Sequence, residues 1–279
     1  MEMIFESLLN SVEKITGQDS VLVTKWINDY ILEARPFSTP EFSAQNFHSH
    51  ENRCKSLLGG FPFVSVNHPW PLCEKSGLPM QPILQIDMKE AGQTLGDDFE
   101  PGLLQLWTVV GEEDDLSMLA TDDLLLLRYI PVSDLQTDLI SEFPENYFLL
   151  PGKLHLIDAA IKSAFPNMEE DMLNGKIIQW NNSQVMLPLP DLVSLDDSEN
   201  NRILFNEVFG AMDDEITTPE QAPDLYLGGH GGQAGGHDDP SSMNKLLVRF
   251  FDGDSLHIGV TYLRNKKDAW TFQPFLRYH

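Results

Sequence analysis

Short apolar runs separated by proline and glycine are the feature of this sequence that most constrains its fold. They recur from Lys55 to the end of the chain, and each has the length of a strand rather than of an ordinary helix. Such runs, bounded by turn residues, predict strands at residues 63–66, 83–88, 103–110, 124–130, 176–180, 185–189, 246–251, 257–263 and 270–275. Asp252-Gly253-Asp254 predicts the turn of an antiparallel hairpin. We therefore expect an α+β fold with mostly antiparallel sheets.

The beginning of the chain has a different pattern. Residues 1–35 carry apolar side chains at helical spacing, interrupted at Gly17. We expect a helical hairpin there, within an N-terminal segment of residues 1–50 that packs on an α+β domain of residues 51–279. Further helical patterns interrupt the strands at residues 152–165 and 199–212.

Charge excludes several classes of partner. The chain has 43 Asp and Glu against 18 Lys and Arg, a formal net charge of −25. A protein that binds nucleic acid directly needs a basic surface to displace counterions, and an anionic membrane would repel this chain. The hydrophobic content of 42% is that of a folded protein rather than of an acidic tail. We therefore expect a globular protein whose partner is cationic.

The acidic residues are concentrated in clusters. Between Asp191 and Asp224 there are ten Asp or Glu and one Arg. A concentrated negative field speeds association with a basic partner and supplies charge-assisted hydrogen bonds to Arg and Lys. The candidate partner-binding residues are, in order, Asp213, Asp214 and Glu215, then Glu112, Glu113, Asp114 and Asp115, then Asp196 and Asp197.

The glycine-rich stretch 227–240 suggests two other kinds of site. His230, His237, Asp238 and Asp239 could bind a metal, but their spacing matches no dedicated zinc pattern, and solvated residues on a mobile loop are the simpler interpretation. The same stretch formally fits a relaxed dinucleotide fingerprint. However, no helix can begin promptly after it to face a phosphate. A metal-assisted hydrolase using those four residues remains the alternative function, and we expect no resident cofactor.

No nucleophile is evident from the sequence. Cys54 and Cys73 are too few for a disulfide framework and are predicted to be free thiols without a base beside them. His48 and His50 are predicted to lie in a surface loop, and there is no Gly-x-Ser-x-Gly motif. We assign no catalytic residue. The chain begins with Glu2 and Glu6, where a secretory signal would carry Lys or Arg. It also lacks an apolar run of about 18 residues, so we expect a cytoplasmic location.

A series of motifs suggests a relationship. They are Gly59-Gly60-Phe61-Pro62, Trp70-Pro71, Gly77-Leu78-Pro79, Gln85-Ile86-Asp87, Gln105-Leu106-Trp107, Arg128-Tyr129-Ile130-Pro131, Leu227-Gly228-Gly229 with Gln233, and the Asp252-Gly253 hairpin. In their order and spacing they resemble the YwqG-like family of bacterial proteins, over roughly residues 55–275. Physically these residues are architectural: Pro and Gly set turns, and Trp70 and Trp107 supply core area.

The resemblance implies a biological context. Many YwqG-like proteins resemble immunity proteins, which neutralise toxins delivered by type VI secretion or by contact-dependent systems, and several such toxins are nucleases. A nuclease presents a basic groove that an acidic inhibitor can occupy in place of nucleic acid. We therefore expect a non-enzymatic immunity protein that binds a cognate toxin. A regulatory binding module whose acidity serves only solubility is a further alternative.

Overall fold

The computed structural model describes residues 35–46, 48–109, 124–136, 138–144, 175–181, 184–186, 225–229, 245–251, 256–264 and 269–278. The predicted helices at 1–35, 152–165 and 199–212 lie outside these residues, apart from Arg35 itself. The strands are β1 Arg35–Ser38, β2 Pro40–Ala44, β3 Leu57–Leu58, β4 Gln81–Asp87, β5 Gly102–Thr108, β6 Leu125–Pro131, β7 Lys176–Trp180, β8 Gln184–Met186, β9 Leu225–Gly228, β10 Lys245–Phe251, β11 Leu256–Arg264 and β12 Trp270–Tyr278. The helices are α1 His50–Arg53, α2 Met88–Leu95 and a 3-10 helix, Val132–Gln136.

These strands form two six-stranded sheets. Sheet A has the order β12-β11-β10-β9-β1-β8, and sheet B has the order β2-β7-β3-β4-β5-β6. Every strand pair among the described residues is antiparallel. The structure confirms an α+β fold of mostly antiparallel sheets. None of the described helices is long and apolar enough to cross a membrane.

The chain passes from one sheet to the other at Thr39. β1 ends at Ser38 in sheet A, and β2 begins at Pro40 in sheet B. The hydroxyl of Ser38 donates to the carbonyl of Asn181 at 2.6 Å, and the Asn181 amide donates to the Thr39 carbonyl at 3.0 Å. These long-range bonds hold the corner where the two sheets meet.

The main core lies between the sheets. Leucine side chains of β4 and β5 pack against apolar side chains of β9, β10 and β11 in one continuous cluster. A small apolar cavity within this core is lined by Leu58, Ile83, Leu84 and Leu106 from sheet B and by Leu225, Val248, Ile258 and Gly259 from sheet A. Its apolar lining offers a polar ligand no hydrogen-bond partner.

A loop closes the other face of sheet B. Trp107 points from β5 and is fully buried, and Trp70 of the covering loop meets it edge-on at 5.2 Å between ring centroids. Phe61 and Phe143 complete this aromatic group. The expectation that Trp70 and Trp107 supply core area is confirmed.

The Gly59-Gly60 motif shows why this loop needs glycine. Gly60 has φ +66, and a Cβ there would lie 2.4 Å from the Cα of Gly175, which has φ +64. Gln45 bonds across this crossing, donating to the Phe61 carbonyl at 2.7 Å and accepting from the Phe61 amide at 2.9 Å. Only glycine permits both the left-handed backbone and the close approach.

The prediction of a strand at residues 63–66 is wrong. The four residues lie in the covering loop, where only Ser65 forms an isolated bridge, with Leu139. The Phe63 amide donates to Gln85 Oε1, and its carbonyl accepts from Gln105 Nε2. Glutamine side chains of the sheet thus take the place of a neighbouring strand, and the apolar run reflects burial rather than pairing.

The other predicted strands are found, with shifted ends. Residues 176–180 match β7, and the predicted hairpin around Gly253 is β10 paired with β11. Met88, predicted to end a strand, begins α2 because Asp87 caps that helix through its bonds to the Lys89 and Glu90 amides.

Candidate functional site

The residues predicted to bind a partner or a metal lie outside the described residues. This applies to the nine acidic candidates, Glu112, Glu113, Asp114, Asp115, Asp196, Asp197, Asp213, Asp214 and Glu215. It applies equally to His230, His237, Asp238 and Asp239. What the structure gives is the framework that carries these segments.

That framework is electrically neutral. The described residues include 11 Asp and Glu and 11 Lys and Arg. The remaining residues hold 32 acids and 7 bases, so they account for the whole net charge of −25. The net acidity therefore lies in sequence segments outside the described residues, with the largest group of acids in 187–224.

Two of the acidic segments begin or end close in sequence to residues that line the small cavity between the sheets. Segment 110–123 begins four residues after Leu106, and segment 187–224 ends immediately before Leu225. Leu106 and Leu225 line the same small cavity between the sheets. The segment containing Glu112 thus begins four residues after this cavity, and the one containing Asp213 ends immediately before it.

A third acidic connection joins there as well. Residues 252–255, which include Asp252 and Asp254, link β10 to β11, and Ile258 follows three residues later. Ile258 lines the same cavity as Leu225. The sequence indicates only a turn at Asp252 and Asp254, because their relation to segment 187–224 depends on the pairing of Leu225 with Phe250.

At the opposite end of sheet A, described acids and bases neutralise one another. Asp97, in the turn after α2, accepts from the Tyr262 hydroxyl at 2.5 Å and lies 3.5 Å from Lys245 Nζ. Arg264 contacts Asp98 at 3.2 Å and lies over the Trp270 ring. Burial and the Asp97 carboxylate raise the pKa of Tyr262 far above its ordinary value, so its hydroxyl stays a donor. Among the described residues, this end is a seam of paired charges between the sheets.

Three residues from the motifs of the sequence analysis meet in a buried polar network. Gln85, Gln105 and Arg128 are neighbours on three adjacent strands of sheet B. Gln105 Oε1 accepts two bonds from the Arg128 guanidinium at 2.9 and 2.7 Å, while Gln105 Nε2 donates to Gln85 Oε1 at 2.7 Å. Burial lowers the pKa of Arg128 to about 10, which leaves it charged at neutral pH. Each contact serves another protein group, so this network is architectural.

Arg53 has the same role under the covering loop. It is 1% exposed, and it donates to the carbonyls of Pro62, Val64 and Ile140 at 2.6 to 3.2 Å. Its guanidinium also lies 4.4 Å from the centroid of the Phe61 ring. Burial lowers its pKa to about 10.

A partly buried carboxyl joins α2 to sheet B. Ser56 Oγ donates to Glu90 Oε2 at 2.9 Å, and the Trp180 amide lies 3.5 Å from Glu90 Oε1. Burial raises the pKa of Glu90, and the bond from Ser56 opposes this shift. These contacts tie α2 to the ends of β3 and β7.

The two cysteines are free, as predicted, but Cys54 does have a neighbouring base. His50 is not in a loop. It begins α1, and its Nδ1 lies 3.9 Å from Cys54 Sγ, four residues later. Burial raises the pKa of Cys54 to about 11, so the group is a thiol at neutral pH. The signal in the sequence was the four-residue spacing behind Ser49, a helix cap, but a single helical turn leaves no periodicity to detect.

Among the described residues no three His, Cys, Asp or Glu side chains come together as a metal-binding group. Comparison with protein-family models, with curated proteins and with solved structures gives no match.

Proposed function

We propose that this chain is a non-enzymatic immunity protein that binds and inhibits a cationic bacterial toxin, most plausibly a nuclease. The observation that carries the proposal is the clustering of acids in the sequence: the described residues balance in charge, and the remaining residues, including the acidic segments 110–123 and 187–224, hold the excess of −25. The resemblance of the framework motifs to YwqG-like proteins supplies the immunity context.

Physical chemistry connects this division to binding. A framework with balanced charge folds without strong self-repulsion, while acidic segments attached to it produce a local field that steers a basic partner. Phosphates along a nucleic acid present the same sign of charge to a nuclease groove. An inhibitor that competes with nucleic acid needs acids gathered on one side. Segments 187–224 and 252–255 meet sheet A at the same end, because Leu225 pairs with Phe250, one residue before β10 ends.

The test uses the purified protein and the product of a secreted-toxin gene adjacent to its own. Association is measured at low and at physiological salt by biolayer interferometry. Reversal of Asp213, Asp214 and Glu215 to Lys is expected to slow association at least tenfold at low salt, and reversal of Glu112 to Asp115 is expected to act in the same direction. The toxin's nuclease activity should be inhibited stoichiometrically by the unaltered protein.

The matched control reverses three exposed framework acids, Glu41, Glu74 and Glu142. It changes net charge as much as the Asp213 triple variant does but leaves the acidic segments intact, and its association rate is expected to fall less than threefold. Equal slowing by both variants would mean that the total charge of the protein, and not the position of the acids, determines the association rate. Absence of a complex at low salt would overturn the proposal.

A further inference from the structure

We propose that His50 and Cys54 form a binding site for a thiophilic metal ion such as Zn²⁺ or Cd²⁺, with one imidazole nitrogen and one thiolate sulfur as its protein ligands. This inference is independent of the proposed function. It rests on four features of the pair: its helical spacing, the ring orientation of His50, the separation of the two ligand atoms and their access to solvent.

Helix α1 places the two side chains on one face. Ser49 caps the helix by accepting from the Asn52 amide at 3.4 Å, which fixes His50 as its first residue. Cys54 follows the last helical residue, four positions later. Side chains at this spacing lie above one another on a helix.

A backbone carbonyl orients the imidazole for metal binding. His50 Nε2 lies 2.8 Å from the carbonyl oxygen of Leu135, in the 3-10 helix. A carbonyl can only accept, so Nε2 carries the proton and Nδ1 presents its lone pair toward Cys54. Metal-binding histidines commonly donate their other ring nitrogen in this way, which fixes the ring and raises its basicity.

The separation of the ligand atoms suits a shared ion. Zn–S and Zn–N bonds of about 2.3 and 2.0–2.1 Å at a tetrahedral angle place S and N about 3.6 Å apart. The observed 3.9 Å between Cys54 Sγ and His50 Nδ1 needs an adjustment of a few tenths of an ångström. The ring is braced meanwhile by its edge contact with Phe63, at 6.3 Å between centroids.

The pair is open on its outer side. His50 is exposed and Cys54 partly so, while the inner side rests on an apolar cluster that includes Phe63 and Leu135. Two coordination positions are thus left for water or for a side chain of a partner. Binding is balanced by release of the thiol proton: the S–H bond is exchanged for a metal–sulfur bond, the proton goes to solvent, and no electron is transferred.

The experiment titrates the full chain, purified without an affinity tag, with CdCl₂ and follows the ultraviolet sulfur-to-cadmium charge-transfer band. One equivalent is expected to produce the band. Cys54→Ser should abolish it, and His50→Ala should weaken binding at least tenfold. His48→Ala and Cys73→Ser are matched controls, expected to bind within twofold of the unaltered protein.

The Cys73 control tests whether metal binding depends on the position of a cysteine beside His50 or on how readily a cysteine ionises. Burial works against ionisation of Cys73, yet hydrogen bonds from Ser76 and the Lys75 backbone give it a pKa below the ordinary value. It would therefore be the better ligand if ionisation alone decided. A band that survives in Cys54→Ser, or equal affinity in His50→Ala, overturns the proposal. His50→Gln, whose amide can still donate to Leu135, serves if His50→Ala unfolds, with circular dichroism as the check on folding.

Discussion

Single residues of this protein stabilise the loop that covers sheet B, and Arg53 is the clearest case. Its guanidinium donates to the buried carbonyls of Pro62, Val64 and Ile140, of which the Val64 carbonyl also accepts from the Ile140 amide at 3.1 Å. Replacing it removes the donors and leaves buried acceptors unpaired, each of which costs about 1–3 kcal/mol.

We therefore expect Arg53→Met to lower the free energy of unfolding by about 3 kcal/mol in urea titrations. Arg53→Lys should recover only part of this loss, because a compact ammonium cannot span the carbonyls of Pro62, Val64 and Ile140. Lys89→Met, at an exposed position on α2, is the control and should change stability by less than about 0.5 kcal/mol. A loss of stability for Arg53→Met no larger than that of the control would contradict this stabilising role of the Arg53 guanidinium.

Glu90 gives a prediction of the opposite sign. Its pKa is raised on folding, so its protonated form favours the folded state, and that contribution is lost as pH rises through the folded pKa. Glu90→Gln removes the charge while its amide oxygen can still accept from Ser56. At pH 7 it should stabilise the protein by a few tenths to about 1 kcal/mol, since the carboxyl is only partly buried.

The gain should shrink toward zero near pH 4, where Glu90 is itself protonated. Thermal unfolding of both proteins across this pH range makes the comparison. Glu74→Gln, at an exposed position, should show neither the gain nor its pH dependence. A destabilised Glu90→Gln at neutral pH would mean that the weak bond from the Trp180 amide outweighs the cost of burying the charge.

At the scale of elements, local sequence patterns revealed eight of the twelve described strands and missed β1, β2, β3 and β9, although all four residues of β9 are buried. β10 and β11 carry long apolar runs on both sides of an Asp-Gly turn, which local pattern alone reveals. β2 reads Pro-Glu-Phe-Ser-Ala with an exposed side chain at nearly every position, and β3 has only two residues. Their pairing is decided by β7, more than a hundred residues away, and local patterning cannot report it.

The same reasoning explains the candidate sites. The acids could be found in the sequence by composition, but the common end at which segments 187–224 and 252–255 meet sheet A follows only from the register of β9 with β10. Gln85 and Gln105 have no signature as a pair, because their contact depends on the β4–β5 register. Long-range register is thus the information that reasoning from local sequence lacked.

Edge strand β12 carries a feature that limits association. Pro274 pairs in register with Val260, and a proline fits an antiparallel ladder only where its nitrogen faces away from the neighbouring strand. The described residues add no strand beyond β12. Pro274 therefore removes a donor from the middle of this edge, which makes the edge a poorer template for another chain.

Pro274→Thr is expected to restore that donor and to increase self-association, seen as a concentration-dependent rise in mass by light scattering. Gln273→Thr, at the adjacent position, is the control for added β-propensity without a new donor. If both variants remain as monodisperse as the unaltered protein, the proline does not protect this edge.

At the scale of the whole molecule, the division of charge sets how stability responds to salt. Exposed acids repel one another over roughly a Debye length, about 10 Å at 0.1 M salt, and added salt screens this repulsion. The described residues balance in charge and include exposed ion pairs that salt would weaken, such as Lys55 with Glu51, whereas the other residues hold 32 acids against 7 bases. Screening therefore relieves more repulsion than it removes attraction, and NaCl should raise the free energy of unfolding.

Urea unfolding at 20 and 500 mM NaCl measures this effect, and we expect higher stability at the higher salt concentration. Neutralising Glu112, Glu113, Asp114 and Asp115 to their amides should raise stability at 20 mM NaCl and reduce the gain produced by salt. Amide variants of Glu41, Glu74 and Glu142, whose charges belong to the balanced framework, should reduce it less. Stability that is independent of salt would mean that the acidic segments lie too far apart to repel one another. Acids gathered on one side would lie within a Debye length of one another. That result would therefore exclude a common acidic surface.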